Sequence, residues 1–177
     1  MYSEPGAGRY EGAARQGLVF SAGNQGATTF TMFTNNTATG LVLSNPTGSG
    51  RLLSVLGVSF QKVAAASAQI ENLGLSVGTG AVTHTTPLTV ASTNVGKTVT
   101  TGVGLCDAAA TIVAGVYAMP LFTPSASATA TTAIPPISFV DIGGLFVVSP
   151  GSFIQLAAGF TNTVSGTAAF FWREIEI

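Results

Sequence analysis

The chain has 177 residues, with six Lys/Arg and seven Asp/Glu, so 7% of its residues are charged and its net charge is −1. An ordinary soluble protein carries about 25% charged residues, and here the few cations are scattered, which excludes the basic stripe of a nucleic-acid binder. Gly, Thr and Ser interrupt every apolar run before it reaches the length of a membrane-spanning helix, and a lone cysteine, Cys106, excludes an internal disulfide or a cysteine-based zinc site.

Residues 1–17 follow neither a helical nor a strand period, and glycines break them up. They read as an extended N-terminal arm, without the apolar core of a secretory signal. Tyr2, Arg9, Tyr10 and Arg15 are its candidate partner-contact residues, because aromatic and guanidinium groups anchor contacts well. The remaining residues, 18–177, read as one domain.

From Leu18 onward the pattern is that of strands. Residues 27–33 alternate, with Asn35-Asn36 as a turn. Leu41-Val42-Leu43, the turn Asn45-Pro46-Thr47-Gly48-Ser49-Gly50 and the apolar run from Leu52 to Phe60 read as a hairpin. Residues 63–69 are the best helical candidate, worth two turns at most. Residues 73–77, 86–91 and 97–103 read as further strands. Asp107 before three alanines suggests the cap of a brief helix. Residues 111–122 follow as a strand, with Gly115 as a bulge and Pro120 marking an end or an edge. The uncharged stretch 123–136 reads as a long loop, and 137–142 as a strand.

The last 33 residues hold the only Trp. Ser149-Pro150-Gly151-Ser152 is a tight-turn signature, and Ile154, Leu156, Ala158 and Phe160 then share one face of a strand. In the final run Phe170, Phe171 and Trp172 read as core, whereas Glu174 and Glu176 point away from Ile175 and Ile177 as a solvated rim. About eight short strands and no crossover helix predict an all-β chain, a jelly-roll-like antiparallel β-sandwich.

Chemistry-bearing motifs are sparse. Residues 91–98 (ASTNVGKT) fit a relaxed phosphate loop, but the β-branched, Gly-rich residues after Lys97 are poor material for the helix that such a loop must open. His84 is the only histidine, which excludes a histidine metal cluster; a Ser-His-Asp set with Asp107 or Asp141 lacks any nucleophile elbow, so His84 reads as a polar loop residue. Glu71, Asp107, Asp141, Glu174 and Glu176 are the carboxylates open to paired acid–base work; Glu174 and Glu176 lie about 7 Å apart on one face of the final strand, a spacing compatible with an inverting pair, but neighbouring exposed residues near a chain end read as a solvated rim. No catalytic residue, metal or cofactor is expected, and an enzyme is the reading least supported.

The NPTGSG turn between apolar strands and the late PGSFIQL strand ending in FFWREI resemble small β-sandwich structural proteins of tailed bacteriophage virions, both head decoration (cement) proteins and the knobs of head fibres and tails. The resemblance covers residues 41–60 and 149–177, and the chain departs from the pattern where Arg173 replaces an acid and where the chain continues to Ile177. It implies a jelly-roll-type fold, a homotrimer on the outer capsid surface and the major capsid protein as partner, with no catalytic residues. A chain of this mass exposes roughly 8,000 Å², and so few charges protect it poorly against association. The expectation is therefore a virion subunit that clamps capsomer joints. The alternatives are a glycan- or receptor-binding knob and a single-jelly-roll shell subunit.

Overall fold

The computed structural model describes residues 8–64, 72–96, 102–122, 138–159 and 164–177. Tyr2, Glu71, Lys97, Phe160, the loop at 123–136 and most of the helical candidate at 63–69 lie outside them. The described chain is nearly all strand: after one helical turn, α1 (Glu11–Arg15), come β1 (Val19–Gly23), β2 (Thr28–Phe30), β3 (Thr37–Asn45), β4 (Arg51–Ala64), β5 (Leu73–Thr79), β6 (Thr83–Pro87), β7 (Ala91–Ser92), β8 (Leu105–Thr111), β9 (Val116–Phe122), β10 (Ser138–Val148), β11 (Ser152–Ala158) and β12 (Val164–Glu176). One sheet runs β10-β4-β12-β1-β7 with β2 added beside β12; the second runs β6-β8-β3-β11-β5-β9. Every strand pairing is antiparallel, so the molecule is an all-β sandwich of two antiparallel sheets.

No described strand pairs with the next one in the chain. This corrects the hairpins expected at the two Pro/Gly turns. The turns are real: Ser49 N–H donates to Pro46 O and Ser152 N–H to Ser149 O, with Gly48 and Gly151 at φ +76° and +77°. Each instead carries the chain from one sheet to the other, β3 to β4 and β10 to β11. Buried Asn45 ties the two arches together, its Nδ2 donating to Arg51 O and Val148 O at 2.8 Å each.

The core lies between the sheets. Trp172 is wholly buried there and stacks on Phe20 with ring centroids 6.2 Å apart, while Phe30 meets Phe60 edge-on. The second sheet is also covered on its outer face. Leu41 and Leu43 point inward, and Val42 between them joins Ala38, Ala110, Ile112 and Phe153 in a separate outer cluster. Backbone hydrogen bonds from Ile112 to Asn36 and from Gly115 to Phe33 hold loops near that cluster. That is why β11 is buried at every residue after Ser152, and not only at the Ile154, Leu156 and Ala158 face. In the first sheet β12 alternates strictly, buried Phe170 and Trp172 against half-buried Phe171 and exposed Arg173.

Several sequence expectations change. Twelve strands are described where about eight were expected: the runs through Gly57 and Gly143-Gly144 continue as single strands, while the run at 111–122 is shared between β8 and β9 and short strands such as β2 and β7 add to the number. Asp107 caps no helix; it lies inside β8, fully buried. The strand expected at 111–122 divides, Thr111 ending β8 and Gly115 turning the chain into β9, where Pro120 sits on an edge strand as its missing N–H requires. The strand expected at 86–91 is two short pieces, β6 and β7. Gly102 and Val103, expected to end a strand, precede β8, which starts at Leu105.

Candidate functional site

The predicted arm residues that are described meet their own domain. Tyr10 donates its hydroxyl to Asp141 Oδ1 at 2.6 Å, and Arg9 Nη1 reaches Asp141 Oδ2 at 3.1 Å. Arg9 Nη2 also approaches the carbonyl of Gly143 at 3.5 Å. The Tyr10 hydroxyl lowers the Asp141 pKa, helped by the Arg9 charge and the Gly143 amide, while partial burial works against it. Burial, then the Asp141 carboxylate, raises the pKa of Tyr10. Arg15 pairs with Glu11 one turn back, and its carbonyl accepts from Asn94 Nδ2. Where an extended arm was expected, residues 11–15 form one turn of helix with no buried residue. Asp141 lies on β10 and Asn94 follows β7, so the arm is tied to both end strands of the first sheet's main path.

Strand β10 is the most exposed apolar feature of that sheet. It is a terminal strand of 11 residues whose second edge carries no partner strand among the described residues. It is apolar on both faces: Val140, Ile142, Phe146 and Val148 pack on the core, while Phe139, Leu145 and Val147 are 56%, 72% and 49% exposed. Its pairing with β4 shifts between Asp141 and Phe146, where Gly143 and Gly144 take φ +62° and +84°. Ile175 and Ile177 at the end of β12 are exposed as well, two strands away in the same sheet. A strand was expected at 137–142, without its continuation to Val148, and a strand apolar on both faces reads as a central one. Only the topology places it at an edge.

The outer face of the first sheet also holds a shallow trough of about 220 Å³. Thr167 and Ala169 on β12 form its floor, Ser59 and Gln61 on β4 one wall, and Gly23 and Asn24 after β1 the other. At one end stand Phe139 and Phe171, edge to face with centroids 5.7 Å apart, and the Phe139 ring occupies the space that a side chain at Gly57 would need. Phe171 is therefore not a core residue, as its place between two core aromatics had implied.

Two carboxylates expected in other roles turn out to be buried and paired. Glu174 faces the core, not a solvated rim. Its Oε2 lies 2.8 Å from Arg51 Nη1, and its Oε1 accepts from the Val103 and Gly104 amides at 2.8 and 3.0 Å and from Trp172 Nε1 at 3.4 Å. With both Glu174 oxygens engaged and Glu176 87% exposed, the two glutamates make no acid–base pair. His84 lies on β6, not in a loop, with its Nδ1 2.5 Å from Asp107 Oδ2. Asp107 is buried, and its second oxygen has no partner among the described residues. This is half of a catalytic set; among the described residues no serine is bonded to His84, and Asp141 is engaged by the arm. No group of three metal-ligating side chains occurs among the described residues. Burial, then the Asp107 charge, raises the pKa of the Cys106 thiol, so it is a packed and inert residue. Residues 93–96 of the phosphate-loop candidate are turn and bend, ahead of undescribed Lys97.

Comparison with family models, with curated proteins and with solved structures finds no match to this chain.

Proposed function

We propose that the protein is a structural virion subunit of the decoration (cement) type, which assembles as a trimer and lies on the outer capsid surface against the major capsid protein. The observation that supports this most is β10: a long edge strand with Leu145 and Val147 facing out, in a chain with few charges. Soluble proteins blunt such edges with charges, prolines or covering segments, because a flat apolar edge recruits further strands. Among the described residues the cover is the polar contact of Arg9 and Tyr10 at Asp141. An edge left in this state suits a subunit whose neighbours complete it, and a closed ring of three leaves no edge to propagate. The virion setting and the capsid partner rest on the sequence resemblance.

Light scattering behind a sizing column tests the assembly. A mass three times 17.7 kDa is expected for the full chain, falling to one copy for the double variant Leu145→Lys, Val147→Lys. A monomeric parent chain would overturn the trimer. Retention of the parent, and not the variant, on capsids after sedimentation tests the surface role.

A further inference from the structure

We propose that the trough along β12 is a binding site for a neutral glycan. The site is made by an alternation in the central strand. Inward positions carry Ala168, Phe170 and Trp172, and the outward positions between them carry Thr167, Ala169 and then Phe171. Small residues at the first two outward positions sink the floor below the side chains of the flanking strands, and the large third one closes the end.

The chemistry of the lining is selective. None of the trough's lining residues is charged, so it offers no complement to an ionic partner. Ser59, Gln61 and Thr167 present hydroxyl and amide groups, and none of these side chains is engaged in a hydrogen bond among the described residues. They remain able to donate and accept. Asn24 is already committed: its amide bonds Gly166 O and the Ala168 N–H, which fixes the wall. Of the aromatic pair at the end, Phe139 is 56% accessible and Phe171 half-buried. Aromatic faces beside a few placed, uncharged donors and acceptors complement a sugar ring, which has an apolar C–H face and a rim of hydroxyls. The volume, below the roughly 300–1,000 Å³ of pockets for drug-sized molecules, suits one or two sugar rings.

The full chain, labelled with ¹⁵N, would be titrated with neutral hexasaccharides of β-1,4-glucose, β-1,4-N-acetylglucosamine, α-1,4-glucose and α-mannose. Amide shifts at Ser59, Gln61 and Thr167 are expected with at least one of them. Phe139→Ala should weaken that binding about tenfold or more, equivalent to about 1.4 kcal/mol, and Ala169→Phe should abolish it by filling the floor. Gln61→Ala, a surface change that leaves the core untouched, should weaken it while the unfolding curve stays in place. Absence of shifts with all four sugars overturns the site, as does binding that survives Ala169→Phe. If no sugar binds and Ala169→Phe instead lowers the mass of the assembly, the trough is a contact between copies and the proposal fails. A monomeric chain that binds sugar leaves it standing.

Discussion

At the scale of single residues, Glu174 shows where pattern reading ends. Ile175 and Ile177 are apolar and two apart, which points the alternation one way; Phe170 and Trp172 point it the other. The aromatics win because the interior between the sheets has room for the indole and closes over it completely. Once Trp172 is inward, parity sends Glu174 inward too, and a buried carboxylate must be paired or pay heavily in lost hydration. The pairing it finds is with Arg51 from β4 and with the Val103 and Gly104 amides, long-range partners that no local pattern reveals. Removing it leaves Arg51, itself only 21% exposed, beside the looser Glu176 contact at 3.7 Å. Glu174→Ala should therefore cost about 3–5 kcal/mol, as for other broken buried pairs. Glu174→Gln should cost less, because its carbonyl still accepts from both amides. Urea unfolding of the two variants checks the order; equal costs would show that the amide contacts contribute little.

At the scale of elements, the turns and the strands were legible, and their partners were not. Pro46 to Ser49 and Ser149 to Ser152 form the turns that their residues specify, with glycine where φ is positive. Whether such a turn makes a hairpin or an arch depends on which faces the flanking strands bury. β3 and β11 are covered on both faces, and nothing in their sequence says by what. Gly151 tests the arch directly. Its φ of +77° lies in the left-handed region, so Gly151→Ala should destabilise by about 1–2 kcal/mol, whereas Gly12→Ala, in α1 with open space around it, should be neutral or slightly favourable. A matched pair of thermal melts would show the difference, and equal melting points would mean that the arch relaxes around the new methyl.

The arm is an element whose docking should follow pH from both sides. Asp141 has a lowered pKa in the docked state, so its contribution is complete above the ordinary carboxylate range and is lost as pH falls below that range. Tyr10 has a raised pKa, so its hydroxyl contribution is complete below the ordinary phenol range and is lost as pH rises through that range toward the raised value. Amide signals of Tyr10 and Asn94 should report the docked arm across this whole window. Asp141→Asn removes the acid limb of the profile; an unchanged acid limb in that variant would place the titrating group elsewhere.

At the scale of the whole molecule, the exposed area is 9,156 Å² and few ionic groups are spread across it. The ion pairs at the surface, such as Arg9 with Asp141 and Arg15 with Glu11, are internal to the chain, and exposed pairs of this kind contribute at most about 1 kcal/mol each. The surface left for neighbours is apolar at β10, Ile175 and Ile177. The force available for assembly is thus burial of apolar area, and burial has a signature that ionic contact lacks. Salt screens exposed charges within a Debye length of about 8 Å at physiological strength, yet it leaves apolar contact in place, and sulfate strengthens it. Cooling weakens it. The proposed trimer should therefore persist when sodium chloride is raised to about 1 M, a range in which exposed ionic contacts are screened out. It should tighten in ammonium sulfate and loosen near 4 °C. Sedimentation equilibrium under these conditions separates the cases: dissociation by sodium chloride alone would assign the interface to charged residues and remove β10 from it.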